Sequence, residues 1–246
     1  MHARAELTAA APSAPGCPCR LVRRLDTAPV AWRSTPDAVY LVGTAATPVG
    51  DDSVDIDVAV EAAAALRIRS TAATVAWSAT GTTQRITAAV ADGGMFDWRM
   101  QPLIATAACN HRQDATVRLE GKGRVWWTEE VVLGRSNEAP GRLDLRLDVD
   151  LDGQALVRHQ LRIGPDAAGW AGPAVLGGHR AVGFVLHAGR PGPRVEPSVG
   201  EGWAILTLDG PAVMAVAVAD DLPGLRRGLT EASAEFDGAD HYDHDP

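Results

Sequence analysis

The chain has 246 residues, 23 basic and 31 acidic, for a net charge of −8. That is enough chain to bury a substantial core without disulfide staples, and the wrong sign for a protein held to nucleic acid by clustered positive charge. Lys122 is the only lysine and sits in Gly121-Lys122-Gly123, which leaves none for a phosphate-binding loop and argues against Schiff-base chemistry. No stretch reaches the roughly 18 apolar residues of a membrane-spanning helix. The three cysteines form no even framework, which points to a reducing, cytoplasmic compartment.

Residues 1–20 are rich in Ala and Pro and have no continuous apolar signal segment, so they read as a disordered leader. Cys17 and Cys19 in this leader would make only an incomplete soft-metal site, and a spectator role is the better reading. Beyond it, period two dominates. Val54, Ile56, Val58 and Val60 alternate with Asp55, Asp57 and Ala59; Leu66 and Ile68 alternate with Arg67 and Arg69; Val117 and Leu119 alternate with Arg118 and Glu120. Trp126 and Trp127 must then face opposite ways, one of them into the core. Leu143 to Asp150 has one wholly apolar face and one charged face, so a strand is expected although leucine favours helix. Asp152-Gly153 signals a hairpin. A three-residue loop, Leu151 to Gly153, with a G1 bulge sets Leu147 opposite Val157, Leu143 opposite Leu161 and Leu145 opposite His159.

Farther along, Ala171 to Leu186 is open between short helix and loop, and Ala212 to Ala219 between strand and helix. Gly189 to Pro197 reads as a loop. Asp221 caps a helix reaching Glu235, with Pro223 in its first turn and Leu225, Leu229 and Ala232 on its apolar face. Residues 237–246, with His241 and His244, read as a disordered Asp/His tail. The expected chain is therefore a single, mainly β domain over 21–236 with one C-terminal helix. Turn–strand units recur at a spacing shared by sandwiches, barrels and β-helical stacks.

Several segments resemble the urease accessory protein D family. They are Pro48-Val49-Gly50-Asp51-Asp52 with the alternating strand after it, Ser70-Thr71-Ala72-Ala73-Thr74-Val75, and Trp126-Trp127-Thr128-Glu129-Glu130 running into Leu133-Gly134-Arg135. Gly141-Arg142, the Asp152-Gly153 hairpin and Gly177-Gly178-His179 follow with similar spacing. The resemblance implies a helix-poor architecture of stacked strand layers. It also implies a non-enzymatic scaffold that binds the urease apoprotein, accessory protein F and, through F, the GTPase accessory protein G. The implied cargo is Ni²⁺ in transit through a hydrated passage, with no permanently bound cofactor, no nucleic acid and no membrane.

Such a passage has to hold its ion weakly at several points, and carboxylates and hydroxyls do so better than a Cys/His cluster. Glu129 is the first candidate, since it lies between Trp127 and an apolar run; a solvent-facing strand carboxylate is the alternative, and at most one of Glu129 and Glu130 can point inward. Ser70, Thr71 and Thr74 offer small hydroxyls, and Asp51 an acidic entrance or a plain turn. His179, Arg135 and Trp127 are candidates for contact with a partner or the metal. His159 reads as a core histidine, and His111 has no evident co-ligand. Two rival classes are a β-sandwich binding small ligands such as sugars, and an enzyme using Glu129 or Glu130 with a second carboxylate.

Overall fold

The computed structural model describes residues 1–14, 19–135, 138–192 and 195–236. The chain opens with β1 (His2–Ala10), β2 (Arg20–Asp26), β3 (Val30–Ser34) and β4 (Val39–Gly43). It continues with β5 (Ser53–Val60), β6 (Ala65–Ser70), β7 (Thr74–Ala76), β8 (Thr82–Val90), β9 (Met95–Arg99), β10 (Leu103–Ala105), β11 (Asn110–Leu119) and β12 (Arg124–Leu133). Next come β13 (Arg142–Leu151), β14 (Gln154–Ile163), β15 (Ala181–Gly189), β16 (Ser198–Gly200), β17 (Trp203–Thr207) and β18 (Ala212–Ala219), before the helix α1 (Leu222–Ser233). Among the described residues these strands form two sheets. The first has the order β14-β13-β11-β8-β5-β1-β2; the second runs β16-β17-β18-β15-β12-β9-β6-β4-β3, with β7 and β10 attached beside β12.

The chain alternates between the sheets, so successive passes stack in parallel as coils. Asp55 lies beside Arg85, Arg85 beside Asp114, and Asp114 beside Arg146; one coil takes about 30 residues, as in β-helical stacks. The period is visible in the turns. Ala63, Gly93, Gly121 and Asp152 all have positive φ, and neighbouring turns hydrogen-bond: Lys122 N–H donates to Asp92 Oδ1 (2.7 Å) and Gly121 N–H to Asp152 Oδ1 (2.8 Å). This arrangement is a stack of coils, not an antiparallel sandwich.

The apolar alternation faces inward as expected. Val54, Ile56, Val58 and Val60 of β5 and Leu143, Leu145, Leu147 and Val149 of β13 are buried, while Asp55–Arg85, Arg112–Asp114 and Arg146–Asp148 ion pairs cover the outer face of the first sheet. Trp127 points inward and stacks on Trp98 (centroids 5.2 Å apart). Trp126 points outward and packs with His187 and Phe236 under α1. The helix is capped as expected: Gly224 N–H donates to Asp221 Oδ1 (2.7 Å), and Leu225, Leu229 and Ala232 are buried.

Several expectations are corrected. The leader over 1–20 is not loose throughout: His2–Ala10 is a strand between β5 and β2, with Ala3, Ala5, Leu7 and Ala9 buried. Its Ala-rich composition masks a period-two pattern, and small side chains suffice once two strands flank it. Cys17 and residues 237–246, with His241 and His244, lie outside the described residues. The Asp152-Gly153 turn has two central residues, both with positive φ (51° and 77°), the I′ geometry whose twist matches the flanking strands. Leu156 is then the extra residue of a bulge, since Asp150 pairs with Ala155 and Val149 with Val157. Leu147 therefore faces His159, and Leu145 faces Leu161. The bulge restores the apolar match that the expected three-residue loop was meant to supply. Ala181–Gly189, within and beyond the undecided 171–186 stretch, is a buried strand, and Ala212–Ala219 is also a strand.

Candidate functional site

The second sheet is interrupted beside β12. The β12–β9 ladder ends at Thr128 opposite Arg99, and pairing resumes with Val131 opposite Leu103 of β10. The β6–β9 ladder likewise ends at Arg69 opposite Arg99, and β7–β10 begins at Thr74 opposite Leu103. Residues 71–73 and 100–102 thus leave the sheet, and Ser70, still paired with Leu41 of β4, is the last residue before the break. A cavity of about 320 Å³ lies there and reaches into the space between the sheets. Its polar wall gathers Ser70, Thr74, Gln84, His111, Gln113 and Glu129. The wall also includes Thr128 and Glu130, whose places on β12 alternate with that of Glu129.

Strand alternation explains the wall. The inward positions of β8 and β11 begin polar, Thr82 and Gln84 in one and His111 and Gln113 in the other, and turn apolar farther along. In β6 and β12 the polar inward residues, Ser70 and Glu129, come late in the strand. Because the sheets run oppositely, these polar positions meet at one end of the coils.

Glu129 accepts a hydrogen bond from Gln113 Nε2 (2.8 Å). Burial raises its carboxyl to about 7, partly offset by the Trp127 indole and the Gln113 amide. The Trp127 Nε1 approaches without completing a hydrogen bond, and it has no other partner. Glu130 points to the opposite face, where Arg226 of α1 donates to its carboxylate (2.9 Å) and to Gln101 Oε1 (3.1 Å). The two glutamates therefore do not form an acid pair.

His111 is 2% exposed. Its Nδ1 is 2.8 Å from Thr82 Oγ1, and its Nε2 has no protein partner. Burial lowers the imidazolium to about 4, so the ring is neutral at pH 7. Among the described residues no group of three or more His, Cys, Asp and Glu is placed to hold a metal ion.

The other candidates are spread more widely. Ser70 Oγ accepts from Gln101 N–H (2.9 Å) and donates to Ala72 O (3.1 Å), fastening the two edges of the interruption. Thr71 is exposed and Thr74 half-buried, both at the cavity. Asp51 is not part of the cavity wall; its side chain is 88% exposed and lies 3.6 Å from the Met1 amine. Trp127 is fully buried, so it offers no surface to a partner: a large ring on the inward phase of β12 belongs to the core.

Arg135 stacks over Trp77 (5.5 Å), a half-exposed ring of the cavity wall. Arg135 also binds Glu138 through its side chain and backbone, and this pairing holds the Glu138 carboxyl well below its usual range. The turn that places Arg135 requires glycine at position 134, where φ is +73° and a Cβ would fall 2.1 Å from Glu138 O. His179 lies away from the cavity, with Nδ1 2.8 Å from Asp220 Oδ1. Sequence reasoning set His111 aside for want of a co-ligand and missed Gln113 and Gln84; their signal was polarity on an otherwise apolar inward phase.

Fold and site together define a class: a helix-poor stack of β coils built around a polar cavity let into one sheet. The family described as UreD urease accessory protein matches residues 2–236. Urease accessory protein UreD 2 of Saccharopolyspora erythraea is 40% identical over 206 residues, covering 79% of this chain and 72% of that protein. Urease accessory protein UreD of Parafrankia sp. is 37% identical over 227 residues (82% and 76%), and that of Streptomyces coelicolor 38% over 207 residues (81% of each). The chain belongs to the UreD urease accessory protein family. No helix among the described residues is long and apolar enough to cross a membrane.

Proposed function

We propose that the chain is a non-enzymatic scaffold of urease maturation in the cytoplasm. In this reading it binds the urease apoprotein and accessory protein F, meets the GTPase accessory protein G through F, and passes Ni²⁺ toward the urease centre. The observation that carries this reading is the cavity at the break in the second sheet, with a carboxyl that burial holds near neutrality. A glutamate half-ionised at pH 7 is a weak ligand, as a passage requires. Ser70 and Thr74 add uncharged oxygens along the same wall.

The test is co-expression with apo-urease and the F and G proteins, reading co-purification and urease nickel separately. Glu129→Gln and the plugging variant Thr74→Leu should leave co-purification intact and lower urease nickel content and activity at least about tenfold. Normal nickel content in both variants refutes passage through this cavity. Failure of the parent chain to co-purify with apo-urease or F refutes the scaffold.

A further inference from the structure

We propose that His111 Nε2 is the nitrogen ligand by which the cavity selects an imidazole-preferring divalent transition cation over Mg²⁺, with the Glu129 carboxyl as the oxygen ligand of the same station. The proposal rests on the passage reading above and adds the residue that sets its specificity. An all-oxygen wall of carboxylate, amide and hydroxyl groups suits Mg²⁺ as well as Ni²⁺, whereas an imidazole favours the later transition ions.

Three features of the ring support this role. Thr82 Oγ1 also lies within donating distance of Asn110 O (3.4 Å), so its single proton has an acceptor there and its lone pair is open to Nδ1–H at 2.8 Å. This arrangement leaves Nε2 as the bare nitrogen, in the manner of metal-binding histidines whose second nitrogen is held by an oxygen. Nε2 is also the ring's unpaired atom, and the ring lies in the cavity wall. Buried polar atoms without a partner are rare, and an apolar ring at this core-facing position would leave none. Finally, Gln113 links the wall of His111 to Glu129, being two residues from His111 on the same strand face and 2.8 Å from the carboxylate. With only two such side chains, the station holds an ion loosely enough to release it.

The experiment uses the full chain carrying His241→Ala and His244→Ala, which removes the tail imidazoles, with Ni²⁺ alone as the probe. X-ray absorption reads imidazole coordination, and titration with and without millimolar Mg²⁺ reads selectivity. The parent should bind Ni²⁺ through an imidazole and resist Mg²⁺. His111→Gln should lose that imidazole signal, weaken Ni²⁺ at least about tenfold and become sensitive to Mg²⁺. Thr82→Val should keep the signal and weaken Ni²⁺ by about tenfold. Should His111→Gln fail to fold, His111→Phe supplies the comparison. An unchanged imidazole signal and Mg²⁺ resistance in the His111 variant overturn the proposal. If Glu129→Gln still abolishes Ni²⁺ binding in that case, the passage reading survives. No Ni²⁺ binding by the parent, or no effect of either substitution, overturns both.

Discussion

Glu129→Gln should stabilise the isolated chain, by an amount that grows with pH. The folded carboxyl titrates at about 7 against an ordinary value of 4.5, so between these pH values the folded state holds a proton that the unfolded state has lost. The wild-type fold is therefore progressively penalised as pH rises through that window. The amide has no proton to lose and still accepts from Gln113. Linkage gives the variant an advantage of under about 1 kcal/mol at pH 5, rising to about 3 kcal/mol at pH 7 and above. These values are ceilings, because Glu129 borders a cavity where solvent shares its charge. Urea unfolding of both proteins at pH 5, 6, 7 and 8 measures the difference. An advantage that is flat or shrinks with rising pH refutes the assignment of Glu129 to a desolvated inward position.

His187 should give the opposite slope. Burial, with Arg124 nearby, holds its imidazolium at about 4, so the unfolded state takes up its proton first and the fold weakens as pH falls from 6.5 toward 4. His187→Phe, which keeps a ring on Trp126, should gain about 2 kcal/mol on wild type between pH 7 and pH 5 by urea unfolding; a constant difference contradicts the burial argument. Arg226→Met should destabilise by about 3 kcal/mol, because it withdraws a cation from a carboxylate that is 1% exposed. The double variant Arg226→Met/Glu130→Leu should recover most of that loss in the same melts. Deleting residues 2–10 should abolish cooperative unfolding and soluble yield, since β1 fills the space between β2 and β5; an unchanged melt would make that strand dispensable.

Much of the fold was legible because one face of most strands is apolar: β5, β13 and the capped helix follow directly from their residues. Coil stacking was not legible from period two, which is local. It shows instead in the 30-residue recurrence of Gly93, Gly121 and Asp152, turn positions that look unrelated until their neighbours are known. The hairpin register failed for a related reason. The apolar phases of β13 and β14 do face each other, but every expected partner is displaced by two residues, because the bulge falls at Leu156 and not in the turn. Strand phase allows only one of Glu129 and Glu130 to point inward without saying which, and the structure turns Glu129 toward Gln113 and the cavity. His111 and Gln113 needed the register that lays β11 opposite β12. Trp127 is a contact candidate by sequence, with the choice of core ring left open between it and Trp126; the structure gives the core position to Trp127.

The parallel ladder of the first sheet and the β12-β9-β6-β4 ladder of the second finish at both ends in a strand of reversed direction: β2 against β1, β14 against β13, β3 against β4 and β15 against β12. An open parallel stack would offer another molecule a template on which to continue it, and fibres grow that way. At those four rims the next strand already runs the wrong way for such growth. The tight turn at Asp152-Gly153 therefore does more than join two strands. It helps make a potentially endless architecture finite, and a longer connection there that let β14 swing free would expose a polymerisation front.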